Sequence, residues 1–235
     1  MLRIAVARLH GAPGVGEAAA PASFGACEQR RWATLAPTAR RQFVASRALL
    51  RDLLQTATGV AAAEWRLSAQ AATAPVARAH PAVAAGFDPH VSLSHRLDWI
   101  AAAVASAPVG VDVECDRPAR SDPAERAALM LAPSELAAWQ GLAQDAREAD
   151  LLARWTAKEA WFKASPPATV PWDFRQVEAR ACEPAHANVR LWRSPPIHVA
   201  LCCDDGAALA DAVCEGLPAA TAGSFWRVAR ATPAA

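Results

Sequence analysis

The 235 residues carry a formal net charge of +1 and no long basic run, so no field draws the chain toward nucleic acid. Hydrophobic residues reach 53%, but alanine supplies much of that figure, and no stretch approaches the ~20 apolar residues that a membrane span requires. The length suits one large domain or two of about 110 residues, and the six cysteines, with no C-x-x-C pair, read as small buried apolar side chains in a reducing cytoplasm.

Residues 1–10 hold an arginine inside their apolar run and no cleavage-like segment, so they read as a first strand of a soluble, unexported protein. A proline- and glycine-containing loop follows. Leu35-Ala-Pro-Thr then opens a helical pattern with Thr38 as a cap, in which Phe43, Ser46, Leu50 and Leu53 or Leu54 recur at helical spacing. Arg40, Arg41, Arg47 and Arg51 fill the other positions, giving a basic flank that is either solvated or set against an anion. Residues 69–90, rich in Ala and Pro and containing His80-Pro81 and Asp88-Pro89, read mostly as loop.

The period then changes to two. Val91 to His95, Trp99 to Ala105 and Val109 to Glu114 predict three short strands, most economically an antiparallel meander. Residues 122–164 are helical again, with a fresh start at Pro133-Ser134-Glu135 and Leu136, Trp139 and Leu142 on one face. Pro166, Pro167 and Pro171 end that region. Gln176 to Ala181, Asn188 to Trp192, Ile197 to Cys203 and Phe225 to Ala229 predict further strands. Each half mixes helix with short strands, so the fold class expected is α+β, with an N-terminal half over 1–106 and a C-terminal half over 107–235.

Two observations point to chemistry. Lys and Arg total 24, of which only Lys158 and Lys163 are lysine, and both lie in Arg154-Trp-Thr-Ala-Lys-Glu-Ala-Trp-Phe-Lys163. A compact ammonium does work on phosphates or protons that arginine's planar fork does differently. Wound as a helix, this run puts Leu151, Leu152, Trp155 and Phe162 in an apolar stripe with Glu159 in its middle and Lys163 one turn on. A carboxylate there is either stapled to Lys163 as an ion pair or used on a cation.

The second observation is the strand Val109 to Glu114. Its alternation sends Val111 and Val113 to one face and Gly110, Asp112 and Glu114 to the other, the two carboxylates about 7 Å apart and the glycine leaving room for a bulky ligand. Alone, this pattern reads first as a polar strand face at a sheet edge. Together, Asp112, Glu114 and Glu159 offer a magnesium ion three oxygens, with Lys163 and nearby arginines left to balance phosphate charge.

Ser92-Leu-Ser-His95, Pro108-Val-Gly-Val-Asp-Val-Glu114 and Trp155-Thr-Ala-Lys-Glu-Ala-Trp-Phe-Lys163, in that order, resemble the signature of the 4'-phosphopantetheinyl transferases, the longer surfactin-synthetase-activating (Sfp) type above all. The resemblance implies a pseudo-dimer of two similar α+β halves with the active site in the cleft between them. It implies magnesium (or manganese) and coenzyme A, whose 4'-phosphopantetheine arm moves to a serine of an apo acyl or peptidyl carrier protein, releasing 3',5'-ADP. It makes Asp112, Glu114 and Glu159 the metal ligands, and Glu159, Lys163 and Lys158 the catalytic set, Glu159 as base for the serine and Lys163 on the pyrophosphate. His95, Ser94, Lys163, Arg47 and Arg41 are then expected to bind coenzyme A, and Leu129, Met130 and Leu131 are candidates for recognising the carrier. A cytoplasmic monomer follows, because the two halves supply both walls of the cleft.

The chain departs from the family pattern in three places. The Gly-Lys-Pro that often precedes the histidine strand is absent from 69–81, where Arg78 is the available cation. Ser-His-Ser becomes Ser94-His95-Arg96, and Ala-Ser-Pro-Pro replaces the glycine-rich segment after Lys163. A non-catalytic module binding coenzyme A or a carrier, and a structural protein with a buried ion pair, remain the alternative readings.

Overall fold

The computed structural model describes residues 1–9, 20–70, 75–79, 88–116, 122–165 and 173–231. In chain order they form β1 (Leu2–Arg8), α1 (Ala26–Ala33), α2 (Pro37–Thr58), β2 (Trp65–Leu67), β3 (Ala77–Ala79), β4 (His90–Arg96), β5 (Trp99–Ala105) and β6 (Val109–Cys115). Then come α3 (Pro123–Met130), α4 (Pro133–Gln140), α5 (Gln144–Ala164), β7 (Val177–Ala181), β8 (Val189–Ser194), β9 (Ile197–Cys203), α6 (Gly206–Asp211), β10 (Cys214–Glu215) and β11 (Gly223–Arg230). This is the α+β class expected. His80-Pro81 and the prolines at 166, 167 and 171 lie outside the described residues.

Small apolar side chains let β5 be buried on both faces, at the centre of a four-stranded sheet ordered β10-β1-β5-β4. β4 and β5 form the expected antiparallel hairpin, but β6 does not continue the meander. It pairs instead with β9 at the edge of a five-stranded sheet, β6-β9-β8-β11-β7. A period of two specifies which side chains share a face, not which strand edge accepts the hydrogen bonds. β4 and β6 still run side by side, linked by side chains: the Val111 N–H donates to Ser92 Oγ at 3.0 Å.

α2 begins on Pro37, whose missing N–H costs nothing in a first turn, rather than with Thr38 as a cap. It ends on Gly59 at φ 75°, a left-handed conformation that glycine adopts without strain. Its arginine flank is not simply solvated, because Arg47 and Arg51 are buried beside the fully buried Glu28 of α1. α1 itself escapes periodicity, being short and mostly polar. β3 falls within the stretch that composition marks as loop, and a strand of two or three residues, like the six-residue helix α6, is too short to leave a periodic trace.

α5 packs against β6 and β9 chiefly with Ala153, Ala157 and Ala160; of the expected stripe Leu151 is buried against α3 and α4, Phe162 is half-buried at the margin of the sheet core, and Leu152 and Trp155 are half-buried. The cause is the closeness of approach. A Cβ built on Gly110 would stand 1.9 Å from the Ala160 carbonyl oxygen and 2.6 Å from the Ala164 nitrogen. Only glycine on the strand and alanine on the helix permit that contact, so the space beside Gly110 is filled by the α5 backbone rather than left for a ligand.

Four cysteines, Cys115, Cys202, Cys203 and Cys214, are buried as expected, whereas Cys27 is exposed and Cys182 half-buried; all six are free thiols. No helix of the described residues is long and apolar enough to cross a membrane.

Candidate functional site

The contact of α5 with Gly110 sets the last two turns of the helix over the polar face of β6. Lys163 Nζ donates to Asp112 Oδ1 at 2.7 Å and to Ser94 Oγ at 3.1 Å, and Ser94 Oγ donates to the same Asp112 oxygen at 2.8 Å. Lys163 thus pairs with the strand's carboxylate, not with Glu159 along its own helix. Asp112 is 4% exposed, and its other oxygen, Oδ2, is buried without a hydrogen-bond partner.

Glu159 is half-buried and, among the described residues, accepts no hydrogen bond. Burial, then the charge of Asp112, push its carboxyl above the usual range; Glu114 adds to the rise and Lys163 partly offsets it. Glu114 is engaged elsewhere. Arg96 Nε lies 2.9 Å from its Oε2, and the Trp155 indole N–H donates to Oε1 at 3.3 Å. Among the described residues no three His, Cys, Asp or Glu side chains are gathered into a cage ready for a metal ion. The three expected ligands therefore share one neighbourhood without converging, because Glu114 is turned toward Arg96 and Trp155.

What the donors present does suit a hard cation. Asp112 offers a buried oxygen with no partner, and Glu159 offers a carboxylate destabilised by its neighbours' negative charge. Oxygen atoms of this kind are what magnesium and manganese take.

Beside Lys163 opens a cleft of about 660 Å³, walled by α2 (Gln42, Phe43, Ser46, Arg47), the segment around Ala69 and Pro75, β4 (Ser92, His95) and the end of α5 (Phe162, Lys163). Its cationic wall is the informative part. Burial lowers the Arg47 pKa to about 10 against the pull of Glu28, yet the guanidinium remains charged at neutral pH. Its Nε is buried without a hydrogen-bond partner, and Arg31 lines the same cleft. His95 opens onto the cleft, but desolvation by the surrounding wall, followed by the charge of Lys163, lowers its pKa, so it is a neutral hydrogen-bonding group at pH 7. Arg41 is exposed and does not line the cleft, and Arg78, on β3, does not line it either.

Lys158 goes elsewhere. It is 1% exposed and donates to Glu135 Oε2 at 2.6 Å, to the Met130 carbonyl at 2.9 Å and to the Phe174 carbonyl at 3.2 Å. Glu135 in turn accepts from the backbone N–H of Ala132 and of Ala179, both at 2.8 Å, and pairs with Arg154. Burial lowers the Lys158 pKa and Glu135 opposes the shift. The residue expected in the catalytic set is therefore a buried clamp joining α3, α4, α5 and β7, pointing away from Asp112. Glu135 went unrecognised as its partner, although its place three residues into α4, after Ala132, is the spacing of a side chain that reaches back to cap a helix.

Lys158→Met is expected to destabilise the fold by about 2–3 kcal/mol, less than the loss of a buried partner can cost, because Arg154 and two N–H groups still hold Glu135. Turnover per folded molecule is expected to survive. Denaturant unfolding together with single-turnover rates checks both; lost turnover with unchanged stability would return Lys158 to the reaction.

The family model described as the 4'-phosphopantetheinyl transferase superfamily matches residues 108–214, which run from the start of β6 through α5 to β10. No curated protein matches the chain.

Proposed function

We propose, from the premise that residues 108–214 form a domain of the 4'-phosphopantetheinyl transferase superfamily, that this chain transfers 4'-phosphopantetheine from coenzyme A to a serine of an apo acyl or peptidyl carrier protein. The release of 3',5'-ADP, the dependence on magnesium and the Sfp type belong to the same proposal. So do its place in the cytoplasm as a monomer and the pseudo-dimeric relation of its halves. The observation that carries it is the contact of half-buried Lys163, which lines a 660 Å³ cleft together with Arg31 and Arg47, with the buried Asp112 and Ser94 behind it, the charge of Asp112 reaching Glu159.

Asp112 and Glu159 would hold the divalent cation; Glu114, the third carboxylate of the expected set, is turned to Arg96 and Trp155. When bound, that cation supplies charge neutralisation at the pyrophosphate. The residues do the rest by position. Lys163 is a point charge at the cleft wall, fixed by Asp112, and Arg47 is a second cation on the α2 side. His95, neutral at pH 7, donates or accepts a hydrogen bond without adding charge. Glu159 takes the proton of the incoming serine hydroxyl. Carrier recognition falls to the region of α3, where Leu129 is 72% exposed while Leu131 is buried.

The deciding experiment incubates the protein with coenzyme A, magnesium and several apo carrier proteins, and follows carrier mass. A phosphopantetheine increment on one of them is expected. Binding of coenzyme A with no modification of any carrier would favour the non-catalytic module instead.

A further inference from the structure

β4 and β6 run beside each other in different sheets and face each other through side chains at every second residue. Ser92 Oγ meets the Val111 N–H, Ser94 meets Asp112 at 2.8 Å, and Arg96 meets Glu114 at 2.9 Å. The alternation of β4 that delivers Ser94 to one carboxylate delivers residue 96 to the next. At that position this chain carries a cation.

We propose that Arg96 holds Glu114 out of the coordination sphere of the divalent cation, so that Asp112 and Glu159 are its protein carboxylates and its affinity is set low. The inference rests on the cation site proposed above. Arg96 Nε lies 2.9 Å from Glu114 Oε2, a charge contact without hydrogen-bond alignment, and the Trp155 N–H donates to Oε1, whereas Asp112 is paired through Oδ1, its buried Oδ2 has no hydrogen-bond partner, and Glu159 accepts no hydrogen bond among the described residues. The Arg96 side chain is 29% exposed and that of Glu114 14%, so the pair is only partly screened by water. Guanidinium does not deprotonate, so no change of pH within the stable range releases Glu114. A metal recruiting Glu114 must displace Arg96 and forfeit the Trp155 hydrogen bond. The charge pattern agrees: Lys163 offsets Asp112, Arg96 offsets Glu114, and Glu159 is the carboxylate left for a metal to neutralise.

The test uses manganese(II) as the probe on the full chain, without coenzyme A or carrier, reading bound against free ion by electron paramagnetic resonance. Arg96→Ala is expected to bind the ion about tenfold more tightly than wild type, the size typical of changes to groups that hold metal ligands. Arg96→Lys, which keeps a cation, is expected to stay within about threefold of wild type. Glu114→Gln is expected to change wild-type affinity by less than about twofold, yet to cancel the gain in the Arg96→Ala background. Equal binding by wild type and Arg96→Ala, or a tenfold loss in Glu114→Gln alone, would overturn the role of Arg96 and leave the cation site standing. Absence of binding by all four variants and wild type would overturn both.

Discussion

Glu159→Gln is expected to lower the transfer rate by at least about 10³-fold and, at the same time, to make the protein more stable. The first effect follows from removing the group proposed both to take the serine proton and to hold the cation. The second follows from the environment of the residue. Glu159 is half-buried next to the charges of Asp112 and Glu114 with no hydrogen bond from the described residues, so its ionised form destabilises the fold wherever no metal is bound. Glutamine has nearly the same shape and no charge. A rise in melting temperature of roughly 2–4 °C is expected in metal-free buffer, the size of about 1 kcal/mol in a chain this long. Calorimetry and the carrier mass assay check the two halves separately. Normal turnover would remove Glu159 from the mechanism, and a lowered melting temperature would show that its carboxylate is satisfied in solution.

Gly110→Ala is expected to cost more than about 3 kcal/mol of stability, with loss of transfer in whatever fraction still folds. The new Cβ meets backbone on α5, the Ala160 oxygen at 1.9 Å and the Ala164 nitrogen at 2.6 Å, and no rotamer change relieves a backbone contact. The helix must move away from β6. Glu159 and Lys163 move with it, and Lys163 loses its 2.7 Å contact with Asp112. A misplacement of about 1 Å costs on the order of 10²-fold in a reaction that depends on positioning. Urea unfolding and the mass assay give both numbers; a variant as stable as wild type would mean that helix and strand are not held at this point.

The two results share a cause in the joint between α5 and β6. That joint was partly legible beforehand. The face-sharing of Asp112 and Glu114, the position of Glu159 and Lys163 one turn apart, and the core-facing Val111 and Val113 follow from helical and strand periods alone. What the periods misassign is the side of α5 that meets the sheet. The large apolar stripe is the natural candidate on hydrophobicity, but the sheet accepts Ala153, Ala157 and Ala160, because the separation of the two backbones, not the size of the side chains, decides which face fits.

The same distinction separates Lys163 from Lys158. Both stand out in composition, and helical geometry places Lys163 one turn from Glu159 and Lys158 about 100° around the helix from it. Their partners come from far along the chain: Asp112 and Ser94 for Lys163, Glu135, Met130 and Phe174 for Lys158. Nothing local to the helix tells a cleft lysine from a buried clamp.

The amino-acid sequence by itself determined the alternation of helix and strand, the family signature and the residues able to carry the chemistry, because these depend on composition and on periods of 2.0 and 3.6 residues. Only the tertiary structure decided that β6 leaves the hairpin of β4 and β5 for a second sheet, that Glu114 faces Arg96, and that Lys158 is a strut. Each of those is a choice among partners distant in the chain, made by which backbones can approach and which buried charges must be neutralised.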